Sequence, residues 1–239
     1  MSLAIISAMD VEMEQYLEHC TLQASTERAG LTIHEAHWRG HDLALVRSGV
    51  GKVNAALCTQ LLIDRYDLDA VLCTGSAGAL DPALDIGDVV IASDCVHHDV
   101  LVDFMGLLRG QIPFTDHRFF ETHPVLRRHA LEVGLTDHRV QAGRVLTGDT
   151  FVEDESQRRR LRAELDGACV EMEGAAVGQV CAVNDVPYLV VRAVSDHADG
   201  TSDLDFETFL EEAARSSSQI VLDLLDALDT NERLGSAGR

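Results

Sequence analysis

Short apolar, β-branched runs alternate with longer segments of helical period along almost the whole chain. That alternation narrows the fold more than any other feature, because it marks an α/β protein: a mixed, mostly parallel sheet covered by helices on both faces, a three-layer α-β-α sandwich. Strand-like runs span Leu3 to Ala8, Leu31 to Trp38, Leu43 to Arg47, Ala70 to Thr74, Val89 to Cys95, Val140 to Leu146, Ala168 to Glu171 and Tyr188 to Val194. Helical period covers Val11 to Glu18, Lys52 to Asp64, Pro124 to Val133, Glu155 to Leu165, Glu173 to Val183 and Phe206 to Leu228. Two β-rich runs separated by Arg39-Gly40 predict a hairpin, which makes the sheet mixed. From His97 to Thr122 the period lapses around Gly106, Gly110 and Pro113, the pattern of a functional or partner-contacting loop. The 239 residues fit one domain, 1–229, followed by a polar tail, 230–239, that is expected to fray.

Charge excludes several classes of partner. With 19 basic and 40 acidic residues the net charge is -21, and such a surface repels nucleic-acid phosphates and anionic membranes. Lys52 is the only lysine; arginine supplies the remaining positive charge, a bias that fits either a GC-rich genome or work in high salt. The six cysteines show no CxxC spacing and sit in apolar runs, so they read as reduced core residues. The N-terminus has no signal-peptide pattern, and no apolar run reaches membrane-spanning length. A cytoplasmic location is expected.

Four segments put small or acidic residues directly after an apolar strand, where open α/β sheets form their ligand crevice. They are Ser7-Ala8-Met9-Asp10-Val11-Glu12, Thr74-Gly75-Ser76-Ala77-Gly78-Ala79, Val170-Glu171-Met172-Glu173-Gly174 and Val191-Arg192-Ala193-Val194-Ser195-Asp196. Each has a plainer explanation when taken alone. Glu12 and Glu173 could merely complement a helix dipole, Asp196 could cap a turn, and the glycines could serve a tight strand-to-loop connection. Only their combination indicates a site.

Three tempting motifs fail on geometry. Ser48-Gly49-Val50-Gly51-Lys52-Val53 is not an NTPase loop, which needs Gly in place of Val46 and Ser or Thr in place of Val53. Ser195-Asp196-His197 has the residue types of a hydrolase triad, but neighbours on an extended strand are expected to face opposite ways. His97-His98-Asp99 diverges likewise, and no second cluster completes a metal site.

In order along the chain, Ala-Met-x-x-Glu, Ser-Gly-Val-Gly-Lys, Thr-Gly-Ser-Ala-Gly, Gly-Asp-Thr-Phe, Val-Glu-Met-Glu and Arg-Ala-Val-Ser-Asp resemble the purine nucleoside phosphorylase and hydrolase superfamily, and within it the 5′-methylthioadenosine/S-adenosylhomocysteine nucleosidases. The resemblance runs from about Ala4 to Leu228. It implies a nucleoside phosphorylase-like fold, a homodimer, a small-molecule nucleoside substrate and no cofactor or metal. It further implies that Asp196 protonates adenine N7 with help from Ser195, that Glu12 orients and deprotonates the attacking water near Ser76, and that Glu173 binds the ribose hydroxyls with Met172 beneath the sugar. Phe151 would stack on adenine and the Val152 backbone would bond its edge, with Ala77 and Gly78 also in the binding wall. Met9, Val50 and Phe206 match the base-distal and 5′ pocket, which Val102 and Pro113 of a neighbouring subunit would complete.

The chemistry requires these residue types. A glycosidic C–N bond breaks with cationic character on the sugar and anionic character on the base, so an acid must meet the leaving nitrogen while carboxylates face the cation. Asp196 must then be protonated and Glu12 ionised at the start. The alternative within the superfamily is a phosphate-dependent purine nucleoside phosphorylase. Phosphorylases resembling this fold hold phosphate with arginines near the Gly-Ser turn and near the first Gly-rich segment; here those neighbourhoods read Leu72-Cys73-Thr74 and Ser7-Ala8-Met9, leaving Arg47 as the nearest candidate cation. A non-catalytic nucleoside-binding module would not need three carboxylates in these roles. Leu107 and Arg109 stand where family members often carry aromatic residues, and Arg109 could either meet a homocysteine carboxylate or be a solvated surface charge.

Overall fold

The computed structural model describes residues 1–198, 202–228 and 234–235, with the backbone alone over 202–205. Strand β1 (Ser2–Ser7) lies between β4 (His41–Arg47) and β5 (Ala70–Ala79) and runs parallel to both. Its side chains alternate between two apolar layers: Ala4 and Ile6 enter one, Leu3 and Ile5 the other. A strand buried on both faces is apolar at every position, which is why it reads as a continuous run.

Helices α2 (Lys52–Arg65) and α5 (Gly174–Val183) cover the first face, bringing Ala55, Cys58, Leu62, Val177 and Cys181 to Ile6, Val71 and Cys73. Helices α1 (Asp10–His19), α3 (Pro124–Val133) and α6 (Ser202–Ala227) cover the second, with Met13, Tyr16, Leu126, Ala213, Ile220 and Leu224 against Leu3, Ile5 and Leu72. This is the three-layer arrangement that the alternating pattern predicts. Helix α4 (Glu155–Leu165) packs Leu161 and Leu165 into a smaller cluster with Leu80, Leu146 and Val152.

The sheet has two halves of different shape. On one side β4, β3 (Leu31–Trp38) and β2 (Thr21–Arg28) continue outward as antiparallel strands, so the predicted hairpin is present. On the other side β5 pairs with β10 (Tyr188–Asp196), which leads through β6 (Val89–His97) and β8 (Val140–Thr147) to β9 (Gly167–Glu171). Strand β9 then pairs back onto β5 through Gly78↔Val170 and Ala79↔Cys169, closing a ring of strands. A two-residue β7 (Phe120–Glu121) adds to β6.

The strand β2 carries no apolar signal because it is an edge strand with nearly every residue exposed. Strands β5 and β10 extend beyond their apolar runs, to Ala79 and Asp196. The Gly-Ser-Ala-Gly segment is therefore a fully buried strand and not a strand-to-loop turn; its pairing with β10 matches Gly75 to Arg192 and Gly78 to Asp196. The segment between β6 and β7 holds only a short 3-10 turn, Asp103–Met105, and leaves Phe104 and Phe114 at 90% and 94% exposure.

All six cysteines are buried and unpaired. Among the described residues no helix is long and apolar enough to cross a membrane. Of the expected tail, 230–239, only Leu234 and Gly235 are described; Leu234 packs against the second layer, and the Gly235 carbonyl lies 3.0 Å from His123 Nε2.

Candidate active site

A cavity of about 270 Å³ opens where β1, β5, β9 and β10 end. Glu12, Glu173 and Asp196 line it, as do Met9, Val50, Ser76, Ala77, Gly78, Phe151, Val152, Met172, Ser195 and Phe206. Its outer wall is apolar: Phe151 packs edge-on against Phe206, with ring centroids 5.8 Å apart, and Val50 is half exposed. Its floor is acidic and buried.

Glu12 stands in the first turn of α1 and reaches back to the start of the helix. One carboxylate oxygen accepts the backbone N–H groups of Ala8 (3.0 Å) and Met9 (3.1 Å), which satisfies amides orphaned at the helix start. The other accepts the Ser76 N–H at 3.0 Å and the Ser76 hydroxyl at 3.3 Å. Burial raises the Glu12 pKa, opposed by the Arg192 guanidinium and by these amide donors, with a net shift upward. A carboxylate held by four donors yet displaced toward neutrality is a competent general base.

The chain Glu171-Met172-Glu173 places two carboxylates at the β9–α5 junction, where helix amides point outward. Glu171 accepts the N–H groups of Glu173 and Gly174, and the Thr147 hydroxyl. Both carboxylates line the cavity, and Glu173 accepts the Gly51 N–H on Oε1 at 2.8 Å. Arg192, buried in β10, donates to Glu171 and lies 3.2 Å from Glu173 Oε2. Burial pushes the Glu173 carboxyl up to about 7, helped by Glu171 and Glu12 and resisted by Arg192 and the Gly51 amide. An isolated buried carboxylate would be prohibitive; the shared guanidinium makes this pair tolerable.

Asp196 ends β10 at an irregularity in the register between Val194 and Asp196. Its Oδ1 accepts the Ala198 N–H at 2.8 Å and its Oδ2 accepts the Ser195 hydroxyl at 3.0 Å. The expected divergence of Ser195 and Asp196 therefore does not occur, because the irregularity breaks the strict alternation of an extended strand. Glycine is required beside these groups. A Cβ on Gly75 would lie 2.5 Å from Arg192 Nη1 and 2.6 Å from Glu12 Oε1, and one on Gly78 would lie 2.8 Å from Asp196 Oδ1.

Arg192 and Glu171 stand inside two of the sequence motifs without a role that those motifs imply. A lone arginine in an otherwise apolar strand was the available signal, since an unpaired buried guanidinium is not tolerated. Arg47, the cation considered for phosphate, pairs with Asp10 at 2.8 Å on the surface and does not line the cavity. Arg109 is neither a solvated charge nor free to meet a ligand: it holds Glu164 at 2.6 Å and the His98 carbonyl at 2.8 Å. Val102 and Pro113 lie in the long loop, outside this chain's own cavity.

Comparisons with known proteins identify a family and a shared fold. The sequence pattern of the phosphorylase superfamily matches residues 2–226. The chain is 40% identical to the 5′-methylthioadenosine/S-adenosylhomocysteine nucleosidase of Colwellia psychrerythraea, over 95% of this chain and 97% of that one. A crystal structure of such a nucleosidase from that organism, in complex with adenine, superposes with a TM-score of 0.93 over 98% of both chains. The Neisseria meningitidis nucleosidase bound to methylthio-immucillin-A is 34% identical, with a TM-score of 0.91 over 95% of this chain and 99% of that one. Futalosine hydrolase of Helicobacter pylori is 31% identical, with a TM-score of 0.90 over 95% and 98%.

Proposed function

The chain belongs to the 5′-methylthioadenosine/S-adenosylhomocysteine nucleosidase family of the phosphorylase superfamily, and on that premise we propose that it hydrolyses the N-glycosidic bond of 5′-substituted adenosines to adenine and the 5′-substituted ribose. Methylthioadenosine and adenosylhomocysteine are the principal substrates, and 5′-deoxyadenosine and aminofutalosine present the same base and ribose.

The charge inventory of the cavity carries the choice of water over phosphate. Four carboxylates, Glu12, Glu171, Glu173 and Asp196, line it with a single guanidinium, Arg192, among the described residues. Arg192 already serves Glu171 and Glu173. A phosphate anion entering that wall would meet repulsion with no uncommitted cation, whereas a neutral water needs only acceptors and donors such as Glu12 and Ser76.

In the reaction, Asp196 gives its proton to adenine N7 as the C–N bond lengthens, with Ser195 holding the acid in place. Glu173 faces the ribose hydroxyls and the positive charge growing at the anomeric carbon, above Met172. Glu12 takes a proton from the water that adds to that carbon. Phe151 stacks on the base, the Val152 backbone bonds its edge, and Met9, Val50 and Phe206 receive the 5′ group. The enzyme works as a cytoplasmic homodimer in which Val102 and Pro113 of one copy complete the 5′ pocket of the other. The exposed Phe104, Leu108 and Phe114 in the same loop support that assembly, and six unpaired thiols suit a reducing compartment.

The deciding experiment separates products chromatographically after incubation with methylthioadenosine, adenosylhomocysteine, adenosine and inosine, each with and without phosphate. Adenine should form from the first two at a rate indifferent to phosphate. Acceleration by phosphate with release of ribose 1-phosphate would overturn the hydrolase assignment.

Gly75→Ala gives a second check. The added methyl would press on two pinned side chains and strain the backbone, so the variant should melt at a lower temperature and, measured where it is still folded, lose about 10²-fold in kcat, as expected for misplacement of catalytic groups by about 1 Å. Wild-type turnover in Gly75→Ala would count against a catalytic Glu12 beside Arg192.

A further inference from the structure

The start of α2, the end of β6 and the loop after β8 meet in a closed ring of polar contacts outside the cavity. The Lys52 ammonium donates to both Asp99 oxygens at 2.7 Å, and Asp99 Oδ2 also accepts the Asp149 N–H at 3.1 Å. Asp149 closes the ring by accepting the Lys52 backbone N–H on Oδ1 at 2.9 Å, while its Oδ2 lies 3.7 Å from the ammonium. The Lys52 and Asp99 side chains are 21% and 28% exposed, and Asp149 on the outer side is 51% exposed.

Each side of this ring continues into the cavity wall. Next to Lys52, Gly51 donates its N–H to Glu173, and the φ of +100° at Gly51 turns the loop so that its Cα faces Asp149 Oδ1. Next to Asp149 come Thr150, Phe151 and Val152, all of which line the cavity. The Lys52 amide ties the two loops directly, and the ammonium with the Asp149 amide anchors both of them to Asp99.

We propose that Lys52 is a positioning residue for hydrolysis: its ring with Asp99 and Asp149 holds the Gly51 amide against Glu173 and fixes Phe151 and Val152 at the base. This inference rests on the nucleosidase reading above. The plain alternative is a surface ion pair that tethers two loops and adds to stability alone. The bond from Gly51 to Glu173 and the run from Asp149 into Phe151 and Val152 favour positioning, and two further observations mark the ring as tightly built. Arginine supplies every other cationic side chain, yet this place holds the one lysine, whose compact ammonium reaches both Asp99 oxygens while turned toward Asp149. Partial burial alone would push the Asp99 carboxyl up, but the Lys52 ammonium and the Asp149 amide outweigh it and hold Asp99 below the usual carboxylate range.

The proposal has a pH signature. Glu173 is faced by Arg192 from β10, Glu171 from β9, Glu12 from α1 and the Gly51 amide from the loop before α2. Of these, only the amide would move if the ring opened. Losing an amide that favours the carboxylate raises the Glu173 pKa further from its value of about 7. The ionised fraction at a given pH then falls, and the acid limb of kcat/KM shifts to higher pH.

The test compares wild type, Lys52→Met, Lys52→Arg and Asp99→Asn. Methylthioadenosine hydrolysis is followed from about pH 5 to about pH 9, and hydrogen exchange of residues 48–51 and 148–152 is measured without substrate. Lys52→Met should lower kcat about ten-fold, shift the acid limb upward, and speed exchange in both segments together. Asp99→Asn should shift the limb in the same direction, and Lys52→Arg, which keeps the charge but not the compact ammonium, should recover only part of the wild-type profile. A folded Lys52→Met with wild-type kcat and acid limb, or with exchange altered in only one segment, would overturn the proposal. Should Lys52→Met fail to fold, a wild-type acid limb in Asp99→Asn would do so. Absence of adenine release by wild type is a failure of the nucleosidase reading instead, and the exchange comparison then decides the ring by itself.

Discussion

Asp196→Asn should lower kcat for methylthioadenosine by about 10²–10⁴-fold, the range typical of a lost general acid, while leaving nucleoside binding and the fold intact. Asparagine matches aspartate in shape. Its carbonyl oxygen can still accept the Ala198 N–H, and its amide can donate to the Ser195 hydroxyl, which turns to accept. What disappears is the proton for the departing base. A riboside with p-nitrophenolate as leaving group needs no such proton, so the variant should cleave it at nearly the wild-type rate. A variant that still releases adenine within a few-fold of wild type would remove Asp196 from the acid role.

Glu12→Gln should lose turnover on the same scale and also lose stability, and the second effect follows from the first turn of α1. Both carboxylate oxygens of Glu12 accept donors, the Ala8 and Met9 amides on one and the Ser76 amide and hydroxyl on the other. Glutamine has one carbonyl oxygen, so its NH2 must face one donor pair and leave buried N–H groups unpaired. That costs about 1–3 kcal/mol per group, or several degrees of melting temperature for a domain of this size. Kinetics measured well below the melting transition would separate the two losses. Hydroxide can partly replace a deleted general base, so the variant should regain activity as the pH rises; wild-type kcat near neutral pH in a folded Glu12→Gln would assign Glu12 to fold maintenance alone.

The dual use of Glu12 shows which parts of the site were legible in the sequence. A first-turn glutamate has an ordinary explanation as a complement to the helix dipole; in the structure Glu12 is buried, bonds the amides at the helix start and also stands in the cavity wall. Neither reading could be rejected from the residue alone; the choice turned on Ser76, Glu173 and Asp196 being brought to the same place. The layers were legible for a physical reason: Leu3 to Ile6 are buried on both faces and Pro124 to Val133 on one, and those environments leave periods of their own. Strand β2 was invisible because an exposed edge strand has no apolar side to reveal. The ends of β5 and β10 fall outside the apolar runs because glycine and serine there answer to neighbouring side chains and not to an apolar layer. Arg192 escaped because its partners lie about twenty residues away, and a buried charge is recognised only with its counter-ions in view.

The closed ring of strands separates what can drift from what cannot. Arg192, Ser195 and Asp196 belong to β10, which is hydrogen-bonded on both sides and buried at every position, so a substitution there is felt throughout the interior. Val50, Phe151 and the long loop carrying Val102 and Pro113 stand at the surface or half exposed, where side chains change at small penalty. On the roles proposed above, a scaffold built this way can exchange one 5′ substituent for another by altering its rim while its acid and ion-paired interior stay untouched. The high superposition of this chain with a futalosine hydrolase at 31% identity is the outcome such a partition would leave behind.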